Sequence, residues 1–141
     1  MLLEQTRQDL INRAIAAREN AYAPYSGYLV GAALLCRDGM VYTGCNVENA
    51  SYGATNCAER TAVFKAVSEG KREFLAIAIA GGRKEADKLD AAYPCGICRQ
   101  VLREFSDPGQ MTVIICKSVE EYREMLLEEL LPNSFGPENL S

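Results

Sequence analysis

The sequence predicts an α/β layered fold, one sheet with helices packed on it, and three observations predict it. Residues 3–21 carry apolar side chains at helical spacing. Two apolar runs then flank Arg37-Asp38-Gly39, a hairpin signal. Beyond the hairpin, short helical stretches alternate with apolar, β-branched runs, so the order after the first helix reads ββαβαβ.

Each element has its own signal. Leu3, Leu10, Ile11, Ala14, Ile15 and Ala17 recur with charges between them, the pattern of an amphipathic helix. Ala23-Pro24-Tyr25-Ser26-Gly27 ends it, since proline and glycine interrupt regular structure. Tyr28 to Cys36 is the first strand and Met40 to Val47 the second, with Asp38-Gly39 at the tip. A polar loop from Glu48 to Asn56 leads into a helix from Cys57 to about Ser68, closed by Glu69-Gly70. Phe74 to Ala80 is almost continuously apolar, as in a strand buried on both faces. A charged loop, Gly81 to Tyr93, precedes Pro94 and a second short helix from Cys95 to about Phe105. Asp107-Pro108-Gly109 turns the chain into a last β-branched strand, Met111 to Cys116. Val119 to Leu131 has the glutamates and leucines of a helix by propensity, and Pro132 stops it.

Length and composition bound the function. The 141 residues, 48% hydrophobic and 24% charged, fit one globular domain spanning 1–141. A chain of this length buries roughly 70% of its unfolded surface and needs no disulfides. Fifteen basic and nineteen acidic residues give a net charge of −4. That balance, with no basic stripe, weighs against a nucleic-acid partner and suits a small neutral substrate. The start, Met1-Leu2-Leu3-Glu4-Gln5, lacks the basic and apolar regions of a secretory signal. The longest apolar run, Phe74 to Ala80, is far short of the roughly 20 residues that span a bilayer. No membrane association and a cytoplasmic location are expected, where the six cysteines are reduced, buried or metal-bound rather than paired.

Three cysteines and a glutamate carry the chemistry. Cys57-Ala58-Glu59-Arg60 and Tyr93-Pro94-Cys95-Gly96-Ile97-Cys98 each occur once, in a chain with no histidine. They read as three thiolate ligands for zinc, which leaves one tetrahedral position open to water, as in catalytic sites. Cys57 and Cys95 each start a helix, whose amino end contributes partial positive charge. Three thiolates around Zn²⁺ leave a net charge of −1, which weakens the metal as a Lewis acid. Arg60, on the first turn after Cys57, is placed to donate to the sulfurs and offset it. Glu59 reaches the open position and can carry protons between water and a substrate nitrogen. Two other readings stand beside this one. Cys95-x-x-Cys98 alone also fits a redox pair. A structural zinc module would need a fourth ligand from Cys36, Cys45 or Cys116, which lie in strand patterns that favour core packing.

The surrounding segments add a resemblance. A ligand-x-Glu motif followed by Pro-Cys-x-x-Cys is that of the zinc nucleobase deaminases. Ala23-Pro24-Tyr25-Ser26, Val30-Gly31-Ala32-Ala33-Leu34, Gly44-Cys45-Asn46-Val47-Glu48-Asn49-Ala50 and Asn56-Cys57-Ala58-Glu59-Arg60-Thr61-Ala62 continue it. So do Pro94-Cys95-Gly96-Ile97-Cys98-Arg99-Gln100-Val101 and Leu130-Leu131-Pro132 with Phe135. In this order they cover nearly the whole chain, which resembles the small homotetrameric cytidine deaminases. The resemblance implies a three-layer α/β/α fold with a central mixed five-stranded sheet, one zinc ion per subunit, and hydrolysis of cytidine and 2′-deoxycytidine in pyrimidine salvage. It implies that Asn46 and Glu48 read the ribose, that Tyr28 packs on the nucleoside, and that the Ala58 N–H donates to the pyrimidine 2-oxo group. It makes the Tyr93 carbonyl the acceptor for the departing amine and places Phe135 on the base in a neighbouring subunit's site. It also implies a strand near Tyr122–Leu126, so that only the last turn before Pro132 is helical. The chain departs from the family at Tyr93, usually a small hydroxyl residue, and in the charged loop before it. An aminonucleoside-antibiotic deaminase on the same scaffold is disfavoured by Asn46 and Glu48, a sugar-reading pair its substrate does not need. An RNA-editing deaminase is disfavoured by the acidic balance.

Overall fold

The computed structural model describes residues 2–141, so Met1, the first residue of the expected domain, lies outside the described residues. The leading helix, α1, is Glu4–Ala17, and Arg18–Asn20 continue it as one 3₁₀ turn. The turn is fastened by Arg18, which is buried and donates to the carbonyls of Leu29, Gly82 and Arg83. A buried cation needs such partners, and these link the helix end to the sheet. The hairpin strands are β1, Tyr28–Cys36, and β2, Val41–Cys45. Then follow α2, Ala58–Ser68; β3, Phe74–Arg83; α3, Gly96–Glu104; and β4, Thr112–Cys116.

The tail forms β5, Tyr122–Leu126, and a single helical turn, α4, Leu127–Leu130. Propensity favoured helix across this stretch. Antiparallel pairing with β4, from Thr112↔Leu126 to Cys116↔Tyr122, overrides it. The sheet order is β2-β1-β3-β4-β5. Only β3 and β4 are parallel, so the sheet is the mixed five-stranded one expected.

Alternation along the strands builds two cores. Ala33, Leu35, Ala76, Ala78, Ala80 and Ile114 face α1 with Leu10, Ile11 and Ala14. Ala32, Leu34, Ile77, Ile79, Val113 and Ile115 face the other way, against Ala58, Ala62 and Val63 of α2 and Leu102 of α3. Helices therefore cover both faces, giving the three α/β/α layers. The strand β3 runs three residues beyond its apolar stretch, because Val30↔Gly81, Leu29↔Gly82 and Tyr28↔Arg83 keep pairing. Ladder pairing wins there over the glycine turn signal.

One glycine sets the site. A Cβ on Gly44 would lie 2.5 Å from the Ala62 nitrogen and 2.6 Å from the Ala58 oxygen. Only a bare backbone on β2 lets the first turn of α2 lie this close to the sheet. Among the described residues no helix is long and apolar enough to cross a membrane.

Candidate metal centre and catalytic cleft

The amino ends of α2 and α3 meet. Cys57 and Cys95 are the residues that open these helices, both with extended backbone and neither using its thiol to cap. Their sulfurs are therefore free to face each other, at 3.8 Å. Cys98, buried one turn into α3, adds a third sulfur, all three lying within 4.8 Å of one another. Zinc–thiolate bonds of about 2.3 Å in tetrahedral geometry place sulfurs about 3.8 Å apart. The donor set thus fits a zinc ion. No fourth cysteine or carboxylate joins the cluster among the described residues, and Cys116 instead donates its thiol to the Ile79 carbonyl. Three ligands leave a position open, which separates this cluster from a four-ligand structural module.

Arg60 supports the same fit. Its Nη2 donates to the Cys57 sulfur at 3.3 Å, and its buried Nε has no partner. A guanidinium packed this way against sulfur calls for negative charge there, which ligated thiolates provide. The partners of the Cys57 thiol lean the same way. A hydrogen bond from Cys98 first, and then Arg60, pulls the Cys57 thiol down to about 5. Cys98 is pushed up, because it holds the proton shared with Cys57 and is buried.

Glu59 lies in the first turn of α2 and is 4% exposed. Burial, reinforced by the charge on Cys57, raises its carboxyl to about 7. A carboxyl poised near neutrality can both take and return a proton.

A cleft of about 300 Å³ opens at this point, the size class of small-molecule sites. Tyr28, Asn46, Cys57, Ala58, Glu59, Tyr93 and Cys95 all line it. Two of the expected substrate residues do not. Glu48 lies past the end of β2 and faces an adjoining groove with Tyr25, Ser26 and Tyr52. Thr55 lines both hollows and is where they meet. Phe135, in the carboxy-terminal segment, is 58% exposed and is not among the residues that line this cleft.

The side chains around the cleft are held by local bonds. Asn46 Oδ1 accepts from the Val30 N–H and its Nδ2 donates to the Tyr28 carbonyl, both at 2.8 Å. Each atom retains capacity for one more bond. Glu48 accepts from the Tyr25 and Ser26 N–H groups at 3.0 and 3.1 Å and from the Ser26 hydroxyl. These donors, the Ser26 hydroxyl foremost, hold its carboxyl below the usual range. The Tyr28 phenol is raised by burial and by Asp90 beside it. The Tyr93 hydroxyl is turned to Arg123, which donates to it at 3.1 Å.

Sequence reasoning missed Arg99. Its Nε donates to the Pro94 carbonyl at 2.7 Å and its Nη1 to the Leu130 carbonyl at 2.8 Å, joining the cysteine loop to the tail. An arginine on a short helix reads as a surface charge. Its position directly after Cys98 is the one signal that marks it.

Comparison with known proteins agrees with this geometry. The family model for the cytidine and deoxycytidylate deaminase zinc-binding region matches residues 4–115. A cytidine deaminase of Halalkalibacterium halodurans is 50% identical over 135 residues, covering 96% of this chain and 98% of that protein. One from Sporosarcina psychrophila is 48% identical over 134 residues, covering 95% and 94%. The crystal structure of a cytidine deaminase from Burkholderia pseudomallei superposes with a TM-score of 0.80 at 48% identity, covering 90% of this chain and 97% of that one.

Proposed function

The chain belongs to the cytidine and deoxycytidylate deaminase family, and on that footing we propose that its cleft hydrolyses cytidine and 2′-deoxycytidine to uridine and 2′-deoxyuridine, releasing ammonia. One observation carries the reading: the buried Glu59 carboxyl and a three-sulfur cluster that fits zinc share a cleft of about 300 Å³.

Cys57, Cys95 and Cys98 would hold the metal, which would supply Lewis acidity that brings the pKa of water toward neutrality. Glu59 takes a proton from the attacking water and delivers it to N3 of the ring. Once hydroxide has added at C4, Glu59 takes the proton of the new C4 hydroxyl and gives it to the amine, which leaves as ammonia as the C4–N bond breaks and the C4 carbonyl forms. The Ala58 N–H, which has no intrahelical acceptor at the start of α2, donates to the 2-oxo group. The Tyr93 carbonyl accepts from the departing amine. Tyr28 packs on the nucleoside. Arg60 offsets the charge of the thiolates.

Asn46 binds the ribose from within the cleft, using the capacity its structural bonds leave free. Glu48 joins it from the adjoining groove across Thr55. Phe135, which points out of its own protomer, stacks on the base in a neighbour's cleft. This requires an assembly, and a homotetramer with shared sites is the form proposed. Residues 1–141 act as one deaminase domain in cytoplasmic pyrimidine salvage, with no nucleic-acid or membrane partner.

A zinc determination paired with an ultraviolet assay of cytidine loss tests the reading. One zinc per chain with turnover of cytidine is expected. Stoichiometric zinc without turnover contradicts it.

A further inference from the structure

The carboxy-terminal segment is gripped by α3 around Phe135. Arg103, in the last turn of α3, is 7% exposed. Its Nε donates to the Ser134 hydroxyl at 2.8 Å, and its Nη2 pairs with Glu138. Gln100, on the preceding turn of the same helix, donates to the Phe135 carbonyl at 2.8 Å. The residues on both sides of Phe135 and its own carbonyl are thus tied to one helix.

Gly136 completes the grip. A Cβ there would fall 2.4 Å from Arg103 Cζ and 2.5 Å from both terminal nitrogens. Near-equal distances to the three atoms place the Gly136 backbone over the face of the guanidinium. Gly136 has φ −149° and ψ −179°, extended backbone open to any residue. Arg103, rather than conformation, therefore excludes a side chain at this position. The Phe135 ring stays exposed on a backbone fixed this way. A ring presented from a rigid support loses less freedom on contact than one on a loose tail.

We propose that Arg103 and Gly136 are positioning residues, a clamp that presents Phe135 to the base in a neighbouring subunit's cleft. This rests on the shared-site reading of Phe135 given above. Neither residue touches the substrate. Each acts through the ring.

The test compares Phe135→Ala, Gly136→Ala, Arg103→Met and both clamp changes in the Phe135→Ala background. Each is assayed as the zinc-loaded assembly, with kcat and KM for cytidine, light scattering and melting temperature. Phe135→Ala is expected to raise KM about 5- to 100-fold, the range for loss of one aromatic–base stack, with a smaller change in kcat. Gly136→Ala and Arg103→Met are expected to reproduce most of that rise, and to add nothing once Phe135 is alanine. Arg103→Met opens the grip from the other side, so the clamp stays testable if Gly136→Ala does not fold. Clamp variants with the parental KM, beside a raised KM for Phe135→Ala, overturn the clamp and leave the shared site standing. A rise that persists in the Phe135→Ala background marks a general structural effect and also overturns it. A parental KM for Phe135→Ala overturns both.

Discussion

Arg60 lies one helical turn beyond Cys57 on α2 and donates to its sulfur at 3.3 Å. The start of a single helix thus brings together a candidate metal ligand, the Glu59 carboxyl and a cation bonded to the ligand sulfur. In many zinc sites neutral imidazole ligands limit the negative charge. This chain has no histidine, so the balance must come from outside the ligand set.

Replacing Arg60 should therefore loosen the metal. Arg60→Gln is expected to weaken zinc retention about 10- to 100-fold, the usual cost of removing a donor that supports a ligand. Competition against a graded chelator measures it. Retention equal to the parent's contradicts the charge-balancing role.

Asn46 has structural bonds that are independent of any sugar contact. Asn46→Ala leaves the Val30 N–H and the Tyr28 carbonyl without their side-chain partner at the start of β1. An unsatisfied buried polar group costs about 1–3 kcal/mol. A fall in Tm of about 3–10 °C is expected alongside reduced turnover. Scanning calorimetry on the variant checks it, and an unchanged Tm with low activity assigns Asn46 to substrate alone.

Glu48 makes stability depend on pH in a defined direction. Its folded-state carboxyl titrates below the usual range, chiefly because the Ser26 hydroxyl donates to it. Its contribution is then present above the unfolded value, about 4.3, and is lost as the pH falls through the lower folded one. Urea midpoints of parent and Glu48→Gln should differ at neutral pH and converge in acid below that range. A gap that stays constant into acid shows that the carboxylate charge is not what the Tyr25–Ser26 turn uses.

Much of this was legible in the chain because the signals were local. Tyr28–Cys36 alternates between two cores and is bounded by Gly27 and Asp38-Gly39, so its limits follow from the residues themselves. The three cysteines announce themselves by spacing. The parts that could not be read depend on partners distant in sequence. Gly81 and Gly82 signal a turn, yet pairing with Val30 and Leu29 keeps them in β3. Tyr122–Leu126 has helical composition, and its strand was legible only through the family resemblance, because the edge that makes it one is offered by β4. The resemblance makes Asn46 and Glu48 one ribose-reading pair, but β2 ends at Cys45 and the two line different hollows. Nothing in the chain announces the partners of Arg18, Arg99 and Arg103, which are carbonyls, a hydroxyl and a carboxylate brought up by the fold.

If Glu59 moves the protons while the three cysteines hold the metal, one substitution separates the two roles. The direct measurement is Glu59→Ala, with zinc content and cytidine turnover determined on the same preparation. One zinc per chain, as in the parent, and a loss of about 10²–10⁴-fold in kcat are expected. A zinc-loaded variant that deaminates cytidine at the parental rate would contradict it.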